Sequence, residues 1–97
     1  MIINGSAIPE VNLRKGYEIR DAQDRIDHFA ERITTPANPF EPEKHGEQRF
    51  WYILEGEATV TIDGHCSTVG PTDLILLAPW TNHSLRADKW VRWICFG

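Results

Sequence analysis

The sequence predicts a single all-β domain whose strands close into a barrel. Three observations predict it. From Gln48 onward, short β-branched and aromatic runs alternate with turn signals every several residues, which is the punctuation of a sandwich or barrel. Within those runs, apolar and polar residues alternate with the period of a half-buried strand. The chain has 97 residues, enough for one domain and not for two, and shows no internal repeat, low-complexity segment or linker.

Taken in order, the first half is the less regular. Tyr17 to Asp21 and Ile26 to Ile33 read as strands. Ile26, Phe29, Ala30 and Ile33 also recur at helical spacing, but Ile33-Thr34-Thr35 adds β-branched residues and no helix cap is visible, which favours a strand. The charged run from Asp21 to Asp27 reads as a solvated turn. Pro36, Pro39 and Pro42 place a loop over 35–44, since no helix or central strand survives so many missing N–H groups.

The second half is better punctuated. Arg49 to Leu54 is a strand, Glu55-Gly56 a tight hairpin turn and Ala58 to Ile62 a half-buried strand. Asp63-Gly64 is a strong hairpin signal, followed by a strand from His65 to Val69 and a turn at Gly70-Pro71-Thr72. Leu74 to Leu77 is a continuous apolar run, the mark of a strand covered on both faces. A loop over 78–82 leads into strands from His83 to Ala87 and from Trp90 to Phe96.

Composition excludes several function classes. A net charge of −4 argues against a nucleic-acid partner, which calls for a basic face. No run approaches the roughly 20 apolar residues of a membrane span, and the start of the chain lacks the pattern of a signal peptide. The two cysteines, Cys66 and Cys95, have no metal-binding spacing and read as buried, reduced thiols of a cytoplasmic protein. No Ser-His-Asp spacing, glycine-rich phosphate loop or cysteine-nucleophile setting is present.

Four histidines remain as candidates. His65 follows a hairpin turn and is expected in solvent; His28 lies in the irregular half and receives no role. His45 and His83 each sit where a loop enters a strand, the position that places a side chain at the mouth of a barrel.

Around these two histidines the sequence resembles the cupin family. Pro42-Glu43-Lys44-His45-Gly46-Glu47-Gln48-Arg49-Phe50-Trp51-Tyr52-Ile53-Leu54-Glu55-Gly56 is similar to the first cupin motif. Thr72-Asp73-Leu74-Ile75-Leu76-Leu77-Ala78-Pro79-Trp80-Thr81-Asn82-His83-Ser84 is similar to the second. With the hairpin between them the motifs cover residues 42–87. The resemblance implies one cupin domain over 1–97: a double-stranded β-helix, or jelly-roll barrel, with an N-terminal arm over about 1–34, motif one over about 42–57 and motif two over about 72–87. Matched residue by residue, the family's metal-binding set of three histidines and a glutamate becomes Glu43, His45, Arg49 and His83. Thr72 and Trp80 stand where the family has glycine, which suggests a bulkier lip.

Two physical readings of this altered site compete. In one, Glu43, His45 and His83 hold a divalent metal such as Fe, Zn, Mn or Ni, with Glu47 or Gln48 adding an oxygen if the strand begins with a bulge. Arg49 then clamps a substrate carboxylate or phosphate. In the other, no metal binds and an inward Arg49 pairs with Glu43, two positions from His45 on the same face. A guanidinium close to a divalent cation is strongly repelled in a low-dielectric interior, which favours the second reading unless an anionic substrate lies between them.

Parity places Arg49, Trp51 and Ile53 on the inner face of their strand and Phe50, Tyr52 and Leu54 on the outer. A strand apolar on both faces is covered on both, and in so short a chain the second cover is a partner subunit, so a homodimer is expected. Gln48, Arg49, Trp51 and Trp80 are the candidate ligand contacts, while Trp90, Trp93 and Phe96 read as packing. Three functions stay open: a cytoplasmic cupin that binds a small polar or anionic molecule in its barrel; a metal-dependent enzyme of oxygenase, isomerase or decarboxylase type; and a metal-free sensor or dimerisation module.

Overall fold

The computed structural model describes residues 2–19 and 26–97, and for Gly5, Pro42 and Glu43 the backbone only. After a 3-10 turn at Gly5–Ala7 the described residues form nine strands. These are β1 (Arg14–Gly16), β2 (Phe29–Thr34), β3 (Phe40–Glu43), β4 (Arg49–Gly56), β5 (Ala58–Ile62), β6 (His65–Val69), β7 (Leu74–Leu77), β8 (His83–Arg86) and β9 (Val91–Phe96). They make two antiparallel sheets, one ordered β1-β2-β9-β4-β7 and the other β3-β8-β5-β6. The all-β jelly roll expected from the sequence is the observed fold. Among the described residues no helix is long and apolar enough to cross a membrane.

Strand alternation builds the core between the sheets. In β4, Trp51 and Ile53 are fully buried, and in β9 Val91, Trp93 and Cys95 point the same way. Val60, Leu85 and Ala87 close the other side. Trp51 and Trp93 meet edge-on with ring centroids 5.0 Å apart, and Phe40 packs edge-on against both. The Trp93 Nε1–H donates to Thr34 Oγ1 at 3.0 Å, so the one polar atom of the buried indole is satisfied.

Several local expectations are corrected. Strand pairing begins at Arg14 rather than Tyr17. Arg14-Lys15-Gly16 has little β propensity of its own and is recruited by Ala30 to Arg32 of β2. Tyr17 follows with one further bond, from its N–H to the Phe29 carbonyl. The expected strand end at Asp21 and most of the Asp21–Asp27 turn fall outside the described residues. Residues 40–43 of the expected loop form β3. It is an edge strand, the one place in a sheet where a missing proline N–H costs little. Leu74 and Leu76 of β7 are 54% and 60% exposed, so only one face of that strand is covered within the subunit. Cys66 is exposed on edge strand β6 while Cys95 is buried, and no disulfide joins them.

Glu55-Gly56 is not a hairpin turn within one sheet. β4 pairs with β7 and β9, and β5 with β6 and β8, so the chain changes sheets here. A register shift between Ile53 and Glu55 bends the strand into the corner, as bulges do. Gly56 takes φ 85°, and a β-carbon there would lie 2.4 Å from the Trp90 carbonyl oxygen, so the corner requires glycine.

Asp63 and Gly64 both hold positive φ, 47° and 87°, as the expected two-residue hairpin demands. Thr72 and Trp80, the two positions where the cupin resemblance expects glycine, also hold positive φ, 73° and 65°. Thr72 is third in a turn closed by the Asp73 N–H on the Gly70 carbonyl at 3.1 Å, where a type II turn calls for glycine. A residue with a β-carbon costs roughly 1–2 kcal/mol in this conformation, against about 0.5–1 kcal/mol of extra chain entropy for glycine. Thr72→Gly is therefore expected to raise the melting temperature by about 3–6 °C. A thermal melt in which Tm falls or stays level would contradict the strain assignment.

Candidate functional site

The two loops that carry the candidate histidines are tied together by the backbone. The Trp80 N–H donates to the His45 carbonyl at 2.6 Å, joining the β7–β8 loop to the loop before β4. The left-handed turn at Trp80 lays its indole on Gly46, where a β-carbon would lie 2.7 Å from the ring. On its other side the β7–β8 loop is held by a reciprocal pair. Asn82 N–H donates to Asp63 Oδ1, and Asp63 N–H to the Asn82 carbonyl, each at 2.8 Å.

His45 and His83 converge, with ring centroids 4.9 Å apart and edge to face. His83 is buried and packs its ring against Trp51 at 5.2 Å. Each imidazole is oriented in the same way. His45 Nδ1 lies 3.0 Å from the Glu47 carbonyl and His83 Nδ1 3.0 Å from the Thr81 carbonyl. A carbonyl can only accept, so both Nδ1 atoms carry the proton, and in the neutral ring Nε2 carries the lone pair. The Glu47 carboxylate stands 3.5 Å from His45 Nδ1, on the exposed side.

Both rings line a cavity of about 200 Å³ in the barrel. Arg49 enters it from the start of β4, with its Nη1 donating to the Gln48 carbonyl at 3.1 Å. Arg32 enters from β2, its guanidinium 5.0 Å above the Phe40 ring and 5.9 Å from Trp93. Phe40, Trp51 and Cys95 complete the apolar wall.

The last lining residue, His28, received no role from the sequence. It pairs with Gly97 through two backbone bonds of 2.9 Å, in the row that continues to Arg49. Burial, and then the guanidiniums of Arg49, Arg14 and Arg32, push its pKa down from 6.5 to about 4, with Asp27 opposing. The signal was present: Ala30, Arg32 and Thr34 alternate inward along β2, and the same parity extended back reaches His28.

Of the candidates named from the sequence, His45, His83, Arg49 and Trp51 are brought together in the cavity, while Gln48 and Trp80 are not. Gln48 is exposed, and Trp80 is 66% exposed at the lip. The backbone of Glu43 pairs with His83 across β3 and β8; its side chain, and with it the expected Arg49–Glu43 ion pair, lies outside the described residues. The β4 register shift falls near its far end rather than at Glu47-Gln48.

The described lining residues comprise two guanidiniums, three imidazoles and a thiol, with no carboxylate among them. Two imidazoles anchored through Nδ1 are built as metal ligands commonly are. Among the described residues, however, no group of three His, Cys, Asp or Glu side chains gathers to hold an ion. Two guanidiniums in the same small cavity also oppose a cation. The described residues by themselves do not make a resident metal centre, and Glu43 is the group that would have to complete it.

Comparison with known proteins agrees with this architecture. The family model for the cupin domain matches residues 33–97. Among solved structures, the chain is similar to a predicted oxalate decarboxylase from Thermotoga maritima (TM-score 0.79, 19% identity, 99% of this chain and 96% of that one covered). It is also similar to an RmlC-like cupin from Shewanella frigidimarina (0.79, 14%, 97% and 86%). A third match is a cupin protein from Bacteroides fragilis (0.77, 17%, 99% and 80%). At these identities the likeness is one of fold. No curated protein matches.

Proposed function

The chain belongs to the cupin family, and we propose that it is a cytoplasmic cupin whose barrel binds a small carboxylate. The observation that carries this reading is the guanidinium of Arg49, which enters the cavity beside the imidazoles of His28, His45 and His83. A carboxylate placed there gains charge-assisted bonds from a planar guanidinium. Its nearest hydrogen-bonding neighbours would be His45 and His83. Two cysteines that form no disulfide accord with a reducing compartment.

The test is a titration of the purified protein with straight-chain monocarboxylates, followed by tryptophan fluorescence, since Trp51 lines the cavity. Saturable quenching that survives chelator treatment supports the metal-free reading. The anchored Nδ1 atoms of His45 and His83 favour a second reading, in which these two residues and Glu43 hold a divalent metal that helps to seat the anion. On that reading, chelation abolishes binding and a divalent cation restores it.

The outer face of the five-stranded sheet supports a homodimer. Phe29, Phe96, Phe50 and Leu76 form one row across it, with Phe50 and Phe96 stacked at 5.2 Å. Ile94, Tyr52 and Leu74 form the next row. Contiguous apolar surface of this kind is covered in stable proteins, and a second copy offers a matching face. Light scattering at micromolar concentration is expected to give twice the chain mass, and Leu74→Glu combined with Leu76→Glu to halve it. A monomeric mass for the unmodified protein would overturn the assignment.

A further inference from the structure

Beside the barrel cavity lies a second and larger hollow, of about 730 Å³, walled by the N-terminal arm, β2 and the approach to β3. Arg32 and Phe40 line both spaces. The two hollows therefore adjoin at these two side chains.

Among the described residues, the charged ones of this wall are Arg14, Arg32 and Glu18, the last exposed. Arg14 and Arg32 stand directly opposite each other across β1 and β2, a placement that destabilises a sheet when the charges are alike. Arg14 does not turn away from its neighbour's side of the sheet. Its guanidinium lies over Gly16, where a β-carbon would come within 2.6 Å of Nη1. Gly16 pairs with Ala30, so the head group is turned along β1 toward the end of the sheet where His28 lies. At that end Gly97 leaves room for Arg49 in the same manner, a β-carbon there meeting Arg49 Cδ at 3.3 Å. In keeping with this placement, Arg49, Arg14 and Arg32, from three different strands, all act to lower the His28 pKa.

The arm wall is built on a tight turn before β1. Asn12 and Leu13 take φ 52° and 58°. The turn is pinned from outside: Ile33 N–H donates to the Leu13 carbonyl at 2.9 Å and Asn38 Nδ2–H to the Asn12 carbonyl at 3.2 Å. Asn12 and Leu13 are the two central residues of this turn, which reciprocal backbone bonds between Val11 and Arg14 close (2.9 and 3.1 Å), and the turn sets Leu13 on the wall of the hollow.

We propose that the arm hollow and the barrel cavity are the two ends of one binding tract, and that its ligand is an elongated dianion. One carboxylate sits on Arg49 in the barrel, a second on Arg14 under the arm, and an apolar spacer runs past Phe40 and Leu13. This rests on the reading that the barrel takes a carboxylate, and adds a second anchor and a length requirement to it. Three inter-strand steps separate β1 from β4, a span of roughly 14 Å, so the longer members of a series fit best.

The test titrates the full chain with straight-chain α,ω-dicarboxylates from malonate to sebacate and with the monocarboxylate of matching length. The longer dicarboxylates are expected to bind about tenfold tighter than their partners. Arg14→Met, and independently Gly16→Ala, which displaces the Arg14 head group, are expected to bring that ratio near one. Lys15→Met, which removes the adjacent charge on the opposite face of β1, should keep it. Monocarboxylate binding with no advantage for any dicarboxylate, or a ratio that both variants preserve, overturns the tract and leaves the barrel site standing. Failure of the unmodified protein to bind any carboxylate overturns both.

Discussion

Trp93→Ala is expected to remove most of the stability of the domain. The side chain is fully buried and touches Trp51 and Phe40 with centroid distances of 5.0 and 5.2 Å. Truncating a buried tryptophan costs about 3–5 kcal/mol. The substitution also leaves the Thr34 hydroxyl without its indole donor in a buried position, which adds to the cost. A domain of this size has only about 5–15 kcal/mol in total, so the variant should melt at least 15 °C lower, as each kcal/mol shifts Tm by about 4–8 °C. Trp93→Phe keeps most of the ring and should lose only about a third as much. Urea and thermal unfolding followed by circular dichroism measure both. A Trp93→Ala protein within 5 °C of the parent, roughly a 1 kcal/mol effect, would show that the two sheets do not depend on this contact.

The second large effect is on binding. Arg49→Met keeps a flexible apolar stem against Gly97 and deletes the planar charge. A hydrogen bond to a charged group is worth about 1.5–3 kcal/mol, so carboxylate affinity should fall roughly 10- to 100-fold, with little change in Tm. The same substitution carries its own positional control. After burial, the Arg49 guanidinium does most to hold the His28 pKa near 4. Its removal should move that pKa upward toward 6.5, read from the imidazole proton shifts. His28 has a lowered folded-state pKa, so its contribution is present above about 6.5 and is lost as pH falls toward 4. In Arg49→Met that acid-side loss should be smaller. An unaltered carboxylate affinity would remove Arg49 from the site.

How much was legible beforehand depends on whether the signal was local. The start and the inward parity of β4 were readable, because Arg49, Trp51 and Ile53 alternate with Phe50, Tyr52 and Leu54 and no proline interrupts them, while its end was not, since the strand runs on through Glu55 and Gly56. The hairpin at Asp63-Gly64 was readable for the same reason. β3 was hidden by its proline, since whether such a strand survives depends on its being at a sheet edge. The corner at Gly56 looked like a hairpin because a glycine with positive φ serves both, and only the remote partners β7 and β9 distinguish them. In the site, His45 and His83 were found from their place at loop–strand boundaries. His28 was missed because Ile26, Phe29, Ala30 and Ile33 mimic a helical stripe and obscure the strand parity that turns it inward. Gln48 shares the outward parity of Phe50, and Trp80 is set by a backbone turn that its own side chain disfavours.

The position of β9 has a consequence for how this protein is made. It lies between β2 and β4 at the centre of the five-stranded sheet, yet follows both in the chain. Until residues 91–96 have been synthesised, β2 and β4 each present an open, apolar edge with nothing to pair it. Every contact that joins them is long-range in sequence, which places folding in the slow regime of non-local topologies. The nascent chain must therefore carry Phe29, Phe50 and Trp51 uncovered until β9 is available, and the aggregation risk of this fold is concentrated in that interval.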